Sequence, residues 1–127
     1  MSAIKSVDAL LNRQYDAKNY HCVHFVIDAA KYLFDLDYTS YFLSLVGSWS
    51  HEIKQAHHAY NFKQCVQLEA PKDGCVVLMT NLMNTAHVGL YYQGRVLHIA
   101  EQGVYFQELR SLTRNYSGFK FYEANHI

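Results

Sequence analysis

Three residues of this chain have the types and settings that acyl-transfer chemistry needs. Cys22 stands in "NYHCVHFVIDAAKYLF" (19–34), where an apolar, helix-like run begins. His87 and His98 stand in "HVGLYYQGRVLHIA" (87–100), two strand-like runs joined by Gln93-Gly94. The reactive form of cysteine is the thiolate, favoured by helix N-terminal amides or a neighbouring imidazolium. Such a nucleophile needs a base, and the base needs a group that orients it.

The elements around these residues make the arrangement plausible on physical grounds. Cys22, Phe25, Val26, Ala29 and Leu33 recur at helical spacing and form one apolar stripe over residues 20–34. Asn19 is the expected N-cap, which makes Cys22 the third helical residue, where backbone N–H groups lack intrahelical partners. Gln93-Gly94 reads as a two-residue hairpin turn. That register sets Tyr92 opposite Arg95, Gly89 opposite His98 and His87 opposite Ala100. His87 and His98 then become diagonal neighbours on one sheet face, about 7–8 Å apart at Cα. Gly89 and Ala100 leave space beside them, while Val88, Leu90, Leu97 and Ile99 form an apolar opposite face. The two imidazoles serve Cys22 if the helix end lies against their face of the sheet.

Other readings of the same residues stand beside this one. A cysteine on an apolar helical stripe also fits plain core, and a strand histidine is often a hydrogen-bonded, half-buried side chain. Metal ligation is the sharper rival, with eight histidines and three cysteines available. However, "HEIKQAHH" (51–58) lacks the H-E-x-x-H order and no C-x-x-C occurs. Cys65 and Cys75 adjoin strand-like runs without a histidine at matching spacing and read as core or edge residues. An odd cysteine count without close pairs argues against a disulfide scaffold.

The wider chain bounds the answer. Its 127 residues fit one domain, half of them hydrophobic, enough for a sizeable core. Eleven basic and eleven acidic residues cancel without a basic run, which disfavours nucleic-acid binding. No stretch approaches the roughly 18 apolar residues that span a bilayer, and "MSAIKSVDALLNRQYD" has no apolar export segment. Pro71, the single proline, divides two textures. Before it, helices are expected at 5–13, 20–34 and 51–62, the last capped by Ser50, with a short strand at 62–68. After it come strands at 75–80, 87–92, 95–100 and 103–109, with 119–124 closing the sheet. The expected class is α+β, with helices followed by an antiparallel sheet of about five strands.

Taken together, the cysteine opening a helix, "PKDGCVVLM" (71–79) and "HVGLYYQGRVLHIA" resemble the NlpC-type cell-wall cysteine peptidases, a papain-like family. Cys22, His87 and His98 fall in order on that family's nucleophile, base and third polar position. The opening "YDAKNYHCVHFVIDA" and the end "GVYFQELRSLTRNYSGFKFYE" are most similar to the short stand-alone version of phage and prophage tails, so the likeness covers about residues 13–123. The chain departs from the family in reading "HCVHF" where many members read D-C-S-G, and Gly74-Cys75 where G-D is usual. A tyrosine often precedes the nucleophile by about ten residues; here Tyr15 and Tyr20 precede it by seven and two. "CVHFV" is also similar to the N-C-E-H-F-V of lecithin–retinol-type acyltransferases, but those place histidine before cysteine.

The resemblance implies one papain-like domain over 1–127 that cleaves an amide bond in peptidoglycan stem peptides. Cys22 would attack, His87 would move the proton and His98 would orient His87. Tyr15 or Tyr20 would assist the Cys22 N–H at the oxyanion, with His21 and His24 lining the substrate groove. It implies no metal or organic cofactor, no nucleic acid and no membrane insertion. Other phage-tail proteins are the implied partners, with delivery from the cytoplasm to the wall in a tail particle. Two alternatives accompany it: a thioesterase, transacylase or amidase using the same residues, or a non-catalytic tail-assembly protein of the same fold.

Overall fold

The computed structural model describes residues 6–16, 19–39, 65–81 and 86–124. Among these, the chain forms an α+β fold with one six-stranded sheet, in which every strand pairing is antiparallel. A 3-10 turn (Val7–Leu10) occupies part of the helix expected at 5–13. Helix α1 (Cys22–Phe34) follows, then strands β1 (Cys65–Leu68), β2 (Val76–Asn81), β3 (Ala86–Tyr92), β4 (Arg95–Ala100) and β5 (Gly103–Glu108). Helix α2 (Leu109–Leu112) and strand β6 (Tyr116–Ala124) end the described chain. The helix expected at 51–62 and its Ser50 cap lie outside the described residues.

The spatial order is β1-β6-β2-β3-β4-β5. This corrects two expectations. The strand expected at 62–68 forms as Cys65–Leu68, and by pairing with β6 at one edge it makes the sheet six-stranded where about five strands were expected. The C-terminal strand begins at Tyr116, three residues earlier than expected, and lies inside the sheet between β1 and β2. Its first part pairs with β2 and its end with β1, the two overlapping at Phe121 and Tyr122, so the strand has a backbone partner along nearly its whole length.

The β3–β4 hairpin has the expected register, with Tyr92 opposite Arg95 and Leu90 opposite Leu97. Gln93 and Gly94 both have positive φ, 53° and 82°, the signature of a type I′ turn that matches strand twist. Gln93 accepts that backbone because its N–H donates to Asp73 Oδ1 at 2.9 Å. Alternation along the strands gives the sheet two faces. Val76, Leu78, Val88, Leu90, Leu97 and Ile99 share one face and pack beneath Val23, Phe25, Val26, Ala29 and Ala30 of α1. Cys75, Val77, Met79 and Val96 share the other face with Leu112 of α2.

Helix α1 therefore packs along the apolar face opposite the imidazoles, the face expected to form the core, whereas the sequence reading set only the helix end against the imidazole face. The reason is area. Burial rewards apolar surface at about 25 cal/mol per Å², and the continuous apolar stripe of α1 meets the uninterrupted apolar Val88–Leu90–Leu97–Ile99 face, while His87 and His98 interrupt the other.

Candidate active site

Cys22 is the first residue of α1, with His21 as N-cap, where the sequence pattern gave Asn19. Asn19 is used elsewhere: its N–H and its side-chain amide both donate to the Asp16 carboxylate, at 3.2 and 3.3 Å. Asp16 and Tyr20 exchange two backbone hydrogen bonds of 2.9 and 2.8 Å, so the turn closes before the helix starts. His21 then takes extended backbone, φ −106° and ψ −166°, and caps the helix with its ring. The Val23 N–H donates to His21 Nδ1 at 3.3 Å, and the His21 N–H donates to His24 Nδ1 at 3.2 Å. This is a capping box built from two histidines.

Both rings must stay neutral to accept those bonds. Burial, and then the neighbouring His24, push His21 down to about 3. Burial also lowers His24, partly offset by Asp28. Thus His21 and His24, assigned from the sequence to the substrate groove, build the helix start that presents Cys22. His24 also lines a shallow pocket of about 340 Å³ with Tyr20, Ile27, Asp28 and Thr39.

The two tyrosines assigned to the oxyanion have different settings. The Tyr20 hydroxyl donates to Asp28 Oδ2 at 2.7 Å and accepts from Arg13 Nη1 at 3.2 Å. Burial and the Asp28 carboxylate raise its phenol well above the usual range. Its one hydroxyl hydrogen is committed to Asp28, away from any substrate oxygen. Tyr15 packs against the core and lines a pocket with Glu101, Gln102 and Gly103 of the β4–β5 turn. That turn is at the sheet end where β3 starts, so Tyr15 shares an end with His87.

The hairpin brings His87 and His98 into direct contact. His87 Nε2 and His98 Nδ1 are 3.0 Å apart, with the rings edge to face at 80°. His98 is 4% exposed, and its Nε2 is 2.9 Å from Oε1 of Gln107 on β5. A parallel Tyr116 ring lies 6.1 Å from His87, and Tyr105 stacks on His98 at 5.6 Å. Gly89 makes room for this packing. A Cβ there would stand 2.5 Å from Val96 Cγ1, 3.0 Å from the Leu97 carbonyl and 3.2 Å from His98 Cβ. Burial, with His98 as a second cause, pushes His87 down to about 3. Burial lowers His98 as well, and the bond to Gln107 opposes that shift.

Cys22 is 1% exposed and packs in the same cluster as Ala86 and Val88, the residues on either side of His87. His87 in turn contacts His98 and Tyr116. Tyr116 is the residue related to both. Its ring stacks on His87, and its phenol is raised first by burial and then by the negative charge that Cys22 can carry. The structure thus joins His87 to His98 by a hydrogen bond and places Cys22 in the core cluster with Ala86 and Val88, within electrostatic reach of Tyr116.

Three residues of this cluster escaped the sequence reading. Tyr105 and Gln107 were within reach of the same argument used for β3–β4. Glu101-Gln102 is another two-residue turn, which sets His98 opposite Tyr105 and leaves Gln107 on the same face. Tyr116 had no local signal, because its place depends on β6 entering between β1 and β2 and on the register shift at Thr80/Asn81. Elsewhere, burial raises the Cys75 thiol to about 11. Among the described residues, no three His, Cys, Asp or Glu side chains converge as a metal-binding group, and no helix is long and apolar enough to cross a membrane.

Compared with protein-family models, with curated proteins and with solved structures, the chain matches none.

Proposed function

We propose that this chain is a papain-like cysteine hydrolase of the NlpC type that cleaves an amide bond in peptidoglycan stem peptides, delivered in a phage-tail particle. The observation that carries this reading is the hydrogen-bonded His87–His98 pair, part-buried on the hairpin face, in a chain whose Cys22 opens a helix. In the proposed reaction His87 takes the Cys22 thiol proton, and the thiolate sulfur attacks the scissile carbonyl carbon. The Cys22 N–H, at the positive end of α1, stabilises the oxyanion, with Tyr15 as the tyrosine on that side of the sheet. The tetrahedral intermediate collapses as His87 gives the proton to the leaving amine, which departs. Water, deprotonated by His87, then hydrolyses the Cys22 thioester and frees the carboxylate and the thiol. His98 fixes the His87 ring throughout.

One observation favours a second reading, a non-catalytic tail-assembly protein of the same fold. Cys22 is almost fully covered, at 1% exposed. Digestion of purified peptidoglycan by wild type and by Cys22→Ala separates the two. Under the hydrolase reading, mass spectrometry finds stem peptides with a new free amine and carboxylate for wild type only. Identical digests from both proteins, with Cys22→Ala folded, would overturn it. Activity on thioesters or small amides without attack on peptidoglycan would move the reading to the other acyl-transfer alternative.

A further inference from the structure

We propose that Gln107 sets the proton polarity of the His98–His87 pair, so that Nδ1 of His87 is the bare, proton-accepting nitrogen. The proposal rests on the hydrolase reading for its consequence, but not for its geometry.

A neutral imidazole has one N–H and one lone pair, so a bond made by one nitrogen decides what the other can do. Gln107 places its amide oxygen 2.9 Å from His98 Nε2, and an amide oxygen can only accept. His98 Nε2 therefore carries hydrogen and donates. His98 Nδ1 is left with a lone pair, and at 3.0 Å it accepts from His87 Nε2–H. His87 Nδ1 is consequently unprotonated. Burial keeps both rings neutral, so neither bond is made by an imidazolium.

The opposite amide orientation would reverse every step. The Gln107 nitrogen would donate to His98 Nε2, His98 Nδ1–H would donate to His87 Nε2, and His87 Nδ1 would carry hydrogen. A ring in that form cannot take a proton from Cys22. The orientation of one amide at the third strand of the pair thus decides whether a base exists. Gln107 is well placed to hold it: it faces Val96 across β4–β5 and lies diagonal to His98. Its outer side lines a polar pocket of about 510 Å³ with Arg110, Ser111, Arg114 and Asn115. Gln107 is a positioning residue here, acting on the base through His98.

The direct test is the tautomer of each ring, read by long-range ¹H–¹⁵N NMR on ¹⁵N-histidine protein, with signals assigned through His87→Asn and His98→Asn. In wild type, both rings should be protonated at Nε2 and bare at Nδ1. Gln107→Leu should leave His98 as a tautomer mixture, and Gln107→Glu, still an acceptor, should keep the wild-type form. A His87 ring protonated at Nδ1 in wild type, or a Gln107→Leu protein with unchanged tautomers, would overturn the proposal. Kinetics supply the second reading: Gln107→Leu should lower kcat about 10–100-fold with KM unchanged, and Gln107→Glu should restore part of it, since a wrong tautomer alone has cost as much as ~10⁴ in another triad. The NMR arm stands if the protein proves inactive, so failure of the hydrolase reading and failure of the Gln107 proposal give different results.

Discussion

Replacing Gly89 with alanine tests how tightly the hairpin packing supports the imidazole pair. The added methyl would stand 2.5 Å from Val96 Cγ1, where ordinary contact begins at 3.4 Å, so the pair must separate by about 0.9 Å. Val96 cannot swing aside. It is fully buried among Cys75, Val77 and Met79, and its branched side chain has few rotamers. The next contact, 3.0 Å to the Leu97 carbonyl, is backbone. Strand β4 itself must move, and His98 moves with it. Overpacking of this kind costs about 1–3 kcal/mol. Unfolding entropy of about 2.1 cal/mol/K per residue over 127 residues gives roughly 0.27 kcal/mol/K, so the melting temperature should fall by about 4–11 °C. A shift near 1 Å in a pair held at 3.0 Å should also cost about 10²-fold in turnover. The assay is calorimetry beside amine release from peptidoglycan, for wild type, Gly89→Ala, Val96→Ala and the double variant. Because the shortest contact is to Val96, the alanine at 89 should cost less stability in the Val96→Ala background. A Gly89→Ala protein that melts within 1 °C of wild type at full activity would refute the reasoning, as would an equal penalty in both backgrounds.

His87→Ala should lose about 10²–10⁴-fold in kcat, the usual worth of positioned proton transfer, while His98→Gln keeps a measurable fraction because an amide can still hold the His87 ring; steady-state kinetics and melting of each variant check this. Stability should fall in acid. His21 and His87, held near 3, are neutral in the folded chain while their unfolded counterparts titrate near 6.5, so folding is favoured above 6.5 and weakens as pH falls from about 6.5 towards 3. Each contributes a slope of up to about 1.4 kcal/mol per pH unit, and chemical denaturation of His87→Asn should show a shallower acid slope than wild type. His24→Ala removes the acceptor for the His21 N–H and should cost about 0.5–2 kcal/mol, the range for losing a helix cap. With its thiol near 11, Cys75 should be alkylated by iodoacetamide far more slowly than Cys22 at pH 8; peptide mapping that finds Cys75 labelled first would contradict this.

The parts of this fold that were legible in the sequence are those fixed by neighbours in the chain. Gln93-Gly94 dictates its own turn type, and from that turn the pleat carries His87 and His98 to the same face without any knowledge of the rest. The α1 stripe is equally local, because helical period alone selects Cys22, Phe25, Val26 and Ala29. What was not legible depends on segments distant in sequence. The place of β6, and with it Tyr116 beside His87, depends on insertion between strands about 35 to 59 residues upstream. The N-cap went to His21 because Asp16 had already engaged Asn19 through a turn that no propensity records. Gln107 was missed for a simpler reason: the register argument stopped one hairpin early.

The central claim is that Cys22 carries the acyl group. Intact-protein mass spectrometry of samples quenched in acid during turnover of purified stem peptides tests it most directly, with His98→Gln included to slow thioester hydrolysis. The account predicts a transient mass increase equal to the acyl half of the released product, mapped to Cys22 and absent from Cys22→Ala. Product that accumulates while Cys22 stays unmodified in every sample, with Cys22→Ala releasing the same product, would contradict it.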